Sequence, residues 1–349
     1  MKKLAQVDKN FAVRADTDGL CYRDITQFPE LYYGLFWNEK AGFYRMNAEE
    51  AAAVNQQVSE LATCTAGGRL RFVTNSKRIA LQVQLQHIFG SANMAYIGTA
   101  GFDLYEKVDD KWLFRCSFAP EEGDSYAGSW EFPTAEERSL LIHFPLYAGV
   151  KKLELGLCPD AALAPLPYPN ELPVVFYGSS ITQGGCASRP GCAYTAIVSR
   201  ELDFDYRNLG FSSGARAEDA MIDYLQKQPM CLLVLDYDHN APNPTYLEKT
   251  HWPLYEKLRK ALPEIPFVLA SAPVANPNEE WLTRRQIVQN TYDQAVSNSD
   301  NQIAFVDGTQ MFLAEGAQEC MVDIYHPNDL GMYCMAKAFA AAMQKYLKV

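Results

Sequence analysis

The feature that most constrains the fold of this 349-residue chain is a change of hydrophobic period near its middle. From about Leu61 to Gly156 apolar and polar residues alternate in short runs. These are Arg69–Thr74, Ile79–Leu85, Gly101–Tyr105, Lys111–Phe114, Leu140–Phe144 and Lys152–Gly156, separated by Gly, Asn, Asp and Ser. Alternation puts every second side chain on one face, and many such strands joined by turn residues predict an antiparallel sandwich of jelly-roll type. Residues 47–60 read as a short helix or an extended lead-in. Past Pro173 the runs become continuously apolar or β-rich: Val174–Tyr177, Tyr206–Asn208, Cys231–Asp236, Phe267–Ala270 and Ile303–Val306. Helical patterns lie between and after them, at Tyr194–Leu202, Glu218–Lys227, Leu254–Ala261, Glu279–Ser297 and Leu330–Leu347. Apolar strands alternating with helices predict a parallel sheet covered on both faces, a three-layer α/β domain. The three prolines of Ala161–Asn170 stop regular structure between the two patterns. The expected division is a sandwich domain over 1–160, a linker over 161–172 and an α/β domain over 173–349.

Charge and cysteine usage narrow the partners. A net charge of −11 argues against a nucleic-acid or anionic-membrane partner, because a phosphate-binding face needs a basic surplus, and is neutral towards a sugar. The start, Met1-Lys2-Lys3-Leu4, carries positive residues with no apolar run behind them, and no window has the length to span a bilayer, so a cytoplasmic location is expected. The nine cysteines are odd in number, scattered and never in Cys-x-x-Cys pairs, which reads as reduced core thiols. With five histidines and no close Cys/His cluster, no metal site and no cofactor are expected. The oligomeric state is not encoded in any pattern, and a homo-oligomer stays open.

Ligands of parallel sheets bind outside the carboxyl ends of the strands. Those ends carry, in order, Gly178-Ser179-Ser180, Gly210-Phe-Ser-Ser-Gly-Ala-Arg216, Asp236-Tyr-Asp-His-Asn240 and Ser271-Ala-Pro273, with Asp323-Ile-Tyr-His326 before the last helix. Singly, each reads as a turn or a helix cap. Together they hold the parts of an acyl-transfer site. A serine (Ser179 or Ser180) needs a base; His326 supplies an imidazole; Asp323, three residues earlier, can turn back onto one ring nitrogen. The N–H groups of Ser180 and of the Ser212–Gly214 turn and the side chain of Asn240 are candidate oxyanion donors. His239 reads as a satisfied loop histidine, His87 and His143 as structural or exposed, and His251 has no acidic neighbour.

The stretch 177-YGSSITQGGCASRPGCAYT-195, the strand 233-LVLDYDHN-240 and the terminal Asp-x-x-His resemble the SGNH (GDSL) hydrolase superfamily, in a subgroup with an N-terminal jelly-roll domain. Leu104-Tyr105 after Gly-Phe-Asp, and Phe144-Pro-Leu-Tyr-Ala-Gly149, resemble that accessory domain. The resemblance implies a flavodoxin-like catalytic domain with Ser180 as nucleophile, His326 as base and Asp323 as its orienting carboxylate. It also implies an oxyanion hole from Ser180, Asn240 and the second block. Two positions depart from the pattern. Ser179 replaces the usual Asp, and Ser213 stands where Gly is usual, with Gly214 as the alternative donor. Such jelly-roll-bearing chains resemble carbohydrate O-acetylesterases. The expected activity is therefore removal of acetyl groups from hemicellulosic oligosaccharides such as mannan or xylan fragments, by an acyl-enzyme mechanism. The tryptophans Trp37, Trp112, Trp130, Trp252 and Trp281 are candidate sugar platforms. The alternatives are a short-chain acylhydrolase or thioesterase, and a sugar-binding protein with a decayed hydrolase domain.

Overall fold

Two antiparallel sheets face each other in the N-terminal half of the structure, a computed structural model that describes residues 7–8 and 16–347. One sheet runs Cys21–Asp24, Ala148–Leu157, Arg78–Ile88, Ser125–Glu131. The other runs Ala164–Pro165, Arg69–Thr74, Arg138–His143, Phe102–Val108, Lys111–Phe118, with Tyr32–Tyr33 also on Arg69–Thr74. The alternation explains the core: Leu70, Phe72, Leu140, Ile142, Phe102 and Leu104 of the second sheet meet Ile79, Leu81, Val83, Leu153 and Leu155 of the first. Each such burial stabilises by about 1.5–3 kcal/mol. Strand Ser125–Glu131 escapes a reading by apolar alternation because its inward row includes Gly128, packed under Phe118 where a Cβ would meet the ring at 2.6 Å.

The proline-rich stretch is not a free linker. Ala164–Pro165 pairs with Val73 and Phe72, and Thr74 Oγ1 donates to Ala162 O at 2.5 Å, so the segment closes the sheet edge, where Pro is tolerated. Residues 47–60 are helical, in two pieces, Ala48–Val54 and Gln56–Leu61. The break is Asn55, whose side chain caps the second piece by accepting from Val58 N at 2.9 Å. Ala51, Val58 and Leu61 pack into the core of the C-terminal half beside Val175, Leu209 and Phe211, so this segment crosses the expected domain line.

The C-terminal half is a five-stranded parallel sheet in the order Tyr206–Gly210, Val174–Gly178, Leu232–Asp236, Phe267–Ala270, Ile303–Val306. Apolar clusters cover both faces, which makes it a three-layer α/β domain. Helices Tyr194–Leu202 and Glu279–Ser297 fall where the pattern puts them. Helix Pro244–Ala261 begins ten residues before its expected start, because Pro253 interrupts the pattern inside it. Among the described residues no helix is long and apolar enough to cross a membrane.

The outward row of the six-stranded sheet is polar but buried, because that face packs on the α/β half. Arg69 pairs with Asp205, Arg71 with Asp203 at 2.5 Å, and Asp103 with Arg189 at 2.9 Å. Asp103 also accepts from Gly191 N at 2.8 Å, and a Cβ on Gly191 would lie 2.5 Å from Tyr105 Oη, so only glycine allows this approach. Asp103 and Tyr105 of Gly101-Phe-Asp-Leu-Tyr105 thus grip the loop after the Ser180 turn.

Candidate active site

Strand Val174–Gly178 ends at a glycine whose Cβ would stand 2.1 Å from Thr182 Oγ1 and 2.4 Å from Asp236 O, so the chain can turn sharply there only without a side chain. Ser179 then caps the turn Ser180–Gln183: its Oγ accepts from Ile181 N at 3.2 Å and its side chain is buried. Ser180, the next residue, faces the cleft. Beneath it Tyr194 Oη and Thr182 Oγ1 both donate to Asp236 Oδ2 at 2.8 Å. Burial raises the Asp236 carboxyl, and these two hydrogen bonds offset that only in part, leaving it at about 7.

The N-terminal half roofs this turn. Tyr147 Oη shares a hydrogen bond with Ser212 Oγ at 2.7 Å and donates to Ser180 O at 3.2 Å. Arg45, fully buried, donates to the carbonyls of Leu61 (2.7 Å), Cys64 (2.9 Å), Asn208 (3.0 Å) and Gly210 (2.6 Å) and stacks on Phe211 at 4.6 Å. No carboxylate among the described residues meets it, and burial lowers its pKa to about 10. Gln183 ties the Ser180 turn to its neighbours, donating to Leu146 O (3.2 Å) and accepting from Ser212 N (3.3 Å).

Asp323 and His326 lie in the loop before helix Asp329–Met343, closed on itself by Val322 N→His326 O and Asn328 N→Cys320 O, each 2.8 Å. His326 Nε2 is 3.0 Å from Ser180 Oγ, and its Nδ1 is 2.9 Å from Asp323 Oδ2 and 3.1 Å from Oδ1. Partial burial pushes the Asp323 carboxyl up. The N–H of Tyr325, the imidazole and the N–H of His326 outweigh it and hold the group at about 2, so it is ionised at any working pH. An ionised carboxylate only accepts, which makes Nδ1 the protonated ring nitrogen and leaves Nε2 free to accept from Ser180.

The expected oxyanion donors meet different fates. No acceptor among the described residues takes the Ser180 N–H, which sits at the first position of its helical turn. Gly214 is corrected: its N–H closes a turn onto Phe211 O at 3.0 Å, and it does not line the cleft. Ser213 does line the cleft, in left-handed backbone (φ 55°), the conformation a glycine would hold without strain. Its N–H donates to Asn240 Oδ1 at 3.1 Å, while Asn240 Nδ2 donates to Phe211 O at 2.8 Å. Both contacts fix the amide orientation, so one Nδ2–H of Asn240 remains for a ligand. Asn240 itself is set by the buried pair Asp238–Arg284 (3.0 Å), with Arg284 also donating to Ala241 O at 2.8 Å.

The cleft above Ser180 encloses about 930 Å³. Its walls combine Arg216, Asn240, Asn276, Asn278, Glu280 and Gln318 with Val274, Met321 and Tyr325. Of the five tryptophans only Trp281 lines it, its ring 4.9 Å from that of His239. His239 is a wall residue and a half-satisfied loop histidine: it bonds the backbone of Pro273, its Nε2 is enclosed without a partner among the described residues, and burial pushes its pKa down to about 4. His143 is buried and accepts from Arg200 at 2.9 Å, and His251 is buried against Thr291 at 2.8 Å.

Two contacts were invisible in sequence because their partners are far apart along the chain. Asn93, from the sandwich half, donates to Asp323 Oδ2 at 2.6 Å. Cys186 offers its sulfur within 4.8 Å of ligand atoms of both Asp323 and His326, the one group of metal-ligand spacing among the described residues. Burial first, and the charge of Asp323 second, push the Cys186 thiol up to about 11. A cation there would draw the imidazole and carboxylate away from Ser180, so this set competes with serine chemistry rather than assisting it.

The GDSL-like lipase/acylhydrolase family model matches residues 171–344, and the model for the N-terminus of SGNH-hydrolase-type esterases matches residues 20–163. The chain belongs to this family and is a carboxylic ester hydrolase of two-part architecture. A solved GDSL-like lipase from Bacteroides ovatus is 27% identical, with a TM-score of 0.83 over 94% of this chain and 98% of that one. The salicylyl-acyltransferase SsfX3 of a tetracycline biosynthetic pathway is 18% identical (TM-score 0.75, covering 94% and 98%). A family two carbohydrate esterase from Clostridium thermocellum, solved with cellohexaose, is 15% identical (TM-score 0.61, covering 81% and 95%). The last two are likenesses of fold. No protein of curated function matches at the level of sequence.

Proposed function

We propose that this protein is a serine esterase that removes O-acetyl groups from plant-derived oligosaccharides, with Ser180, His326 and Asp323 as its catalytic triad. The observation that carries the reading is the unbroken chain Ser180 Oγ–His326 Nε2 (3.0 Å) and His326 Nδ1–Asp323 (2.9 Å) at the floor of a polar cleft. Ser180 Oγ attacks the acyl carbonyl as its proton passes to Nε2; Asp323 stays ionised and stabilises the imidazolium. Negative charge on the tetrahedral oxygen meets the Ser180 N–H and the remaining Nδ2–H of Asn240. The imidazolium then protonates the leaving sugar oxygen as the ester C–O bond breaks. A water, deprotonated by the same ring, attacks the acyl carbonyl and releases acetate as the ring returns the proton to Ser180 Oγ. No step calls on a metal or cofactor.

The sugar preference draws on the cleft walls. Trp281 offers an aromatic face, and Asn276, Asn278, Glu280 and Gln318 offer donors and acceptors for hydroxyl groups. A carbohydrate esterase of the same fold binds a glucan hexamer, which supports the same class of ligand here. All nine cysteines are free, which supports a reducing compartment and so an imported oligosaccharide as substrate. A second reading, short-chain ester hydrolysis without a sugar, is favoured by the apolar side chains Val274, Met321 and Val322 at the same cleft. Acetylated mannan and xylan oligosaccharides, followed by mass spectrometry, and a chain-length series of aryl esters separate the two. The proposal expects successive losses of acetyl groups and a preference for acetate, with Ser180→Ala inactive on both substrates. Turnover by Ser180→Ala would remove the serine mechanism, and aryl ester hydrolysis with no action on acetylated sugars would favour the second reading.

A further inference from the structure

We propose that Asn93, carried by the sandwich half, is a positioning residue for the acid of the triad, so that the accessory half completes the active site rather than only bracing it. The inference rests on the triad reading above. Asp323 takes two backbone donors from its own loop, Tyr325 N and His326 N, both at 2.7 Å on Oδ1. Oδ2 faces His326 Nδ1 and has, among the described residues, one other donor, Asn93 Nδ2 at 2.6 Å. A carboxylate accepts only, so the amide must present its nitrogen, and two donors on Oδ2 fix the plane of the carboxyl group towards the ring.

The setting makes this contact matter. The acid loop stands out in solvent, with Val322 43%, Ile324 77% and Tyr325 48% exposed, and its backbone hydrogen bonds close it on itself. Asn93 ties its carboxylate to the sandwich half. Its own segment is anchored: Met94 packs on the core beside the last helix, Gly98 O and Thr99 O accept from Leu146 N and Tyr147 N at 3.1 Å, and Gly98 abuts Ala187 O. Tyr147 in turn holds Ser180 O. This segment therefore reaches Asp323 directly and Ser180 through Tyr147.

The test compares Asn93→Ala and Asn93→Asp in the full chain on an aryl acetate, measuring kcat, KM, the pH dependence of kcat/KM and Tm, with Ser180→Ala alongside. Besides Asp323 and Tyr325 from its own loop, the titratable and charged groups near the imidazole include His239 from the turn after the third parallel strand, Cys186 from the loop after the Ser180 turn, Asp236 beneath that turn, and Arg216, Glu280 and Arg284 on the cleft walls. Asp323 at about 2, His239 at about 4 and Cys186 at about 11 titrate outside pH 5 to 9, whereas Asp236 beneath the Ser180 turn, at about 7, titrates inside it, so each profile is also recorded in an Asp236→Asn background. Asn93→Ala is expected to lower kcat on the order of tenfold with KM and Tm unchanged. Asn93→Asp adds a second carboxylate beside the imidazolium and is expected to move the acid limb to higher pH. Wild-type kcat in both variants, or a loss that follows a lowered Tm with an unmoved limb, overturns the positioning role. Activity in Ser180→Ala would instead overturn the triad reading, so the two failures are distinct.

Discussion

The Ser180 turn and the Asp323–His326 loop meet at 3.0 Å yet are built by opposite means. Around Ser180 the chain is over-determined: Ser179, Ile181, Thr182 and Gln183 are buried, Gly178 admits no side chain, and Arg45, Tyr147 and Asn208 bind its surroundings from three sides. Around His326 the chain is exposed and held by local hydrogen bonds plus one long-range amide. A nucleophile and its oxyanion donors must be fixed relative to each other to sub-ångström tolerance, which burial provides. The base needs only a correct ring orientation, which a carboxylate and a few N–H groups provide. Mutations should therefore separate the two regions, costing activity alone in the loop and stability as well at the turn.

The largest expected effect is in the exposed region. Asp323→Asn keeps the size of the side chain but disturbs the Nδ1–H donation that fixes the tautomer. The turnover of an aryl acetate should fall by about 10⁴-fold, while Tm, read by calorimetry, stays at the wild-type value. A comparable drop in Tm would erase the contrast. Next comes Arg45→Ala at the buried region, which removes a donor from four main-chain carbonyls, of which Leu61 O keeps Cys64 N. A loss of about 3–5 kcal/mol in denaturant unfolding is expected. Unchanged stability would show that the roof over the Ser180 turn is not held by this residue.

The smallest effect sharpens the contrast through pH. Asp236, under the Ser180 turn, has its pKa raised from 3.8 to about 7, so the fold keeps a proton that the unfolded chain has released across that window. The stability it lends is complete below the unfolded value and is lost as pH rises through the folded one. His239 and His251, lowered to about 4 and about 3, act the other way and have finished by the ordinary histidine value of 6.5. The Tm of wild type relative to Asp236→Asn should therefore decline by about 2–4 °C between pH 5 and 8. Parallel Tm curves for the two proteins would place the Asp236 titration outside this range.

Much of the α/β half was legible because a strand buried on both faces writes itself as an apolar run, as in Val174–Gly178 and Leu232–Asp236. Its chemistry was legible for a related reason: parallel strands end on one edge, so the side chains after them share a site, and Ser180, Asn240, Asp323 and His326 all reach the cleft. What stayed hidden depends on contacts between the halves. Arg45 and Asn93 lie in or beside sandwich segments and carry no local signature, and Tyr147 lies in the Phe144–Gly149 motif, which says nothing of its partner; only the docked sheet brings them to Ser180 and Asp323. Nothing in the sequence says what the outward arginines of Arg69–Thr74 face; the fold makes them part of the buried interface. At the oxyanion turn, residue type misled: Ser213 and Gly214 both invite a donor role, but both backbone N–H groups are already taken, by Asn240 Oδ1 and Phe211 O, and the left-handed position belongs to Ser213.

The central claim is that Ser180 is activated by the imidazole of His326. The most direct measurement is covalent labelling by a serine-reactive phosphonate, with the modified residue located by peptide mass spectrometry in the wild type and in His326→Ala. The account predicts one adduct, on Ser180, formed rapidly in the wild type and at least about 10³-fold more slowly without the imidazole. An adduct on Ser179, or equal labelling of Ser180 in both proteins, would contradict it.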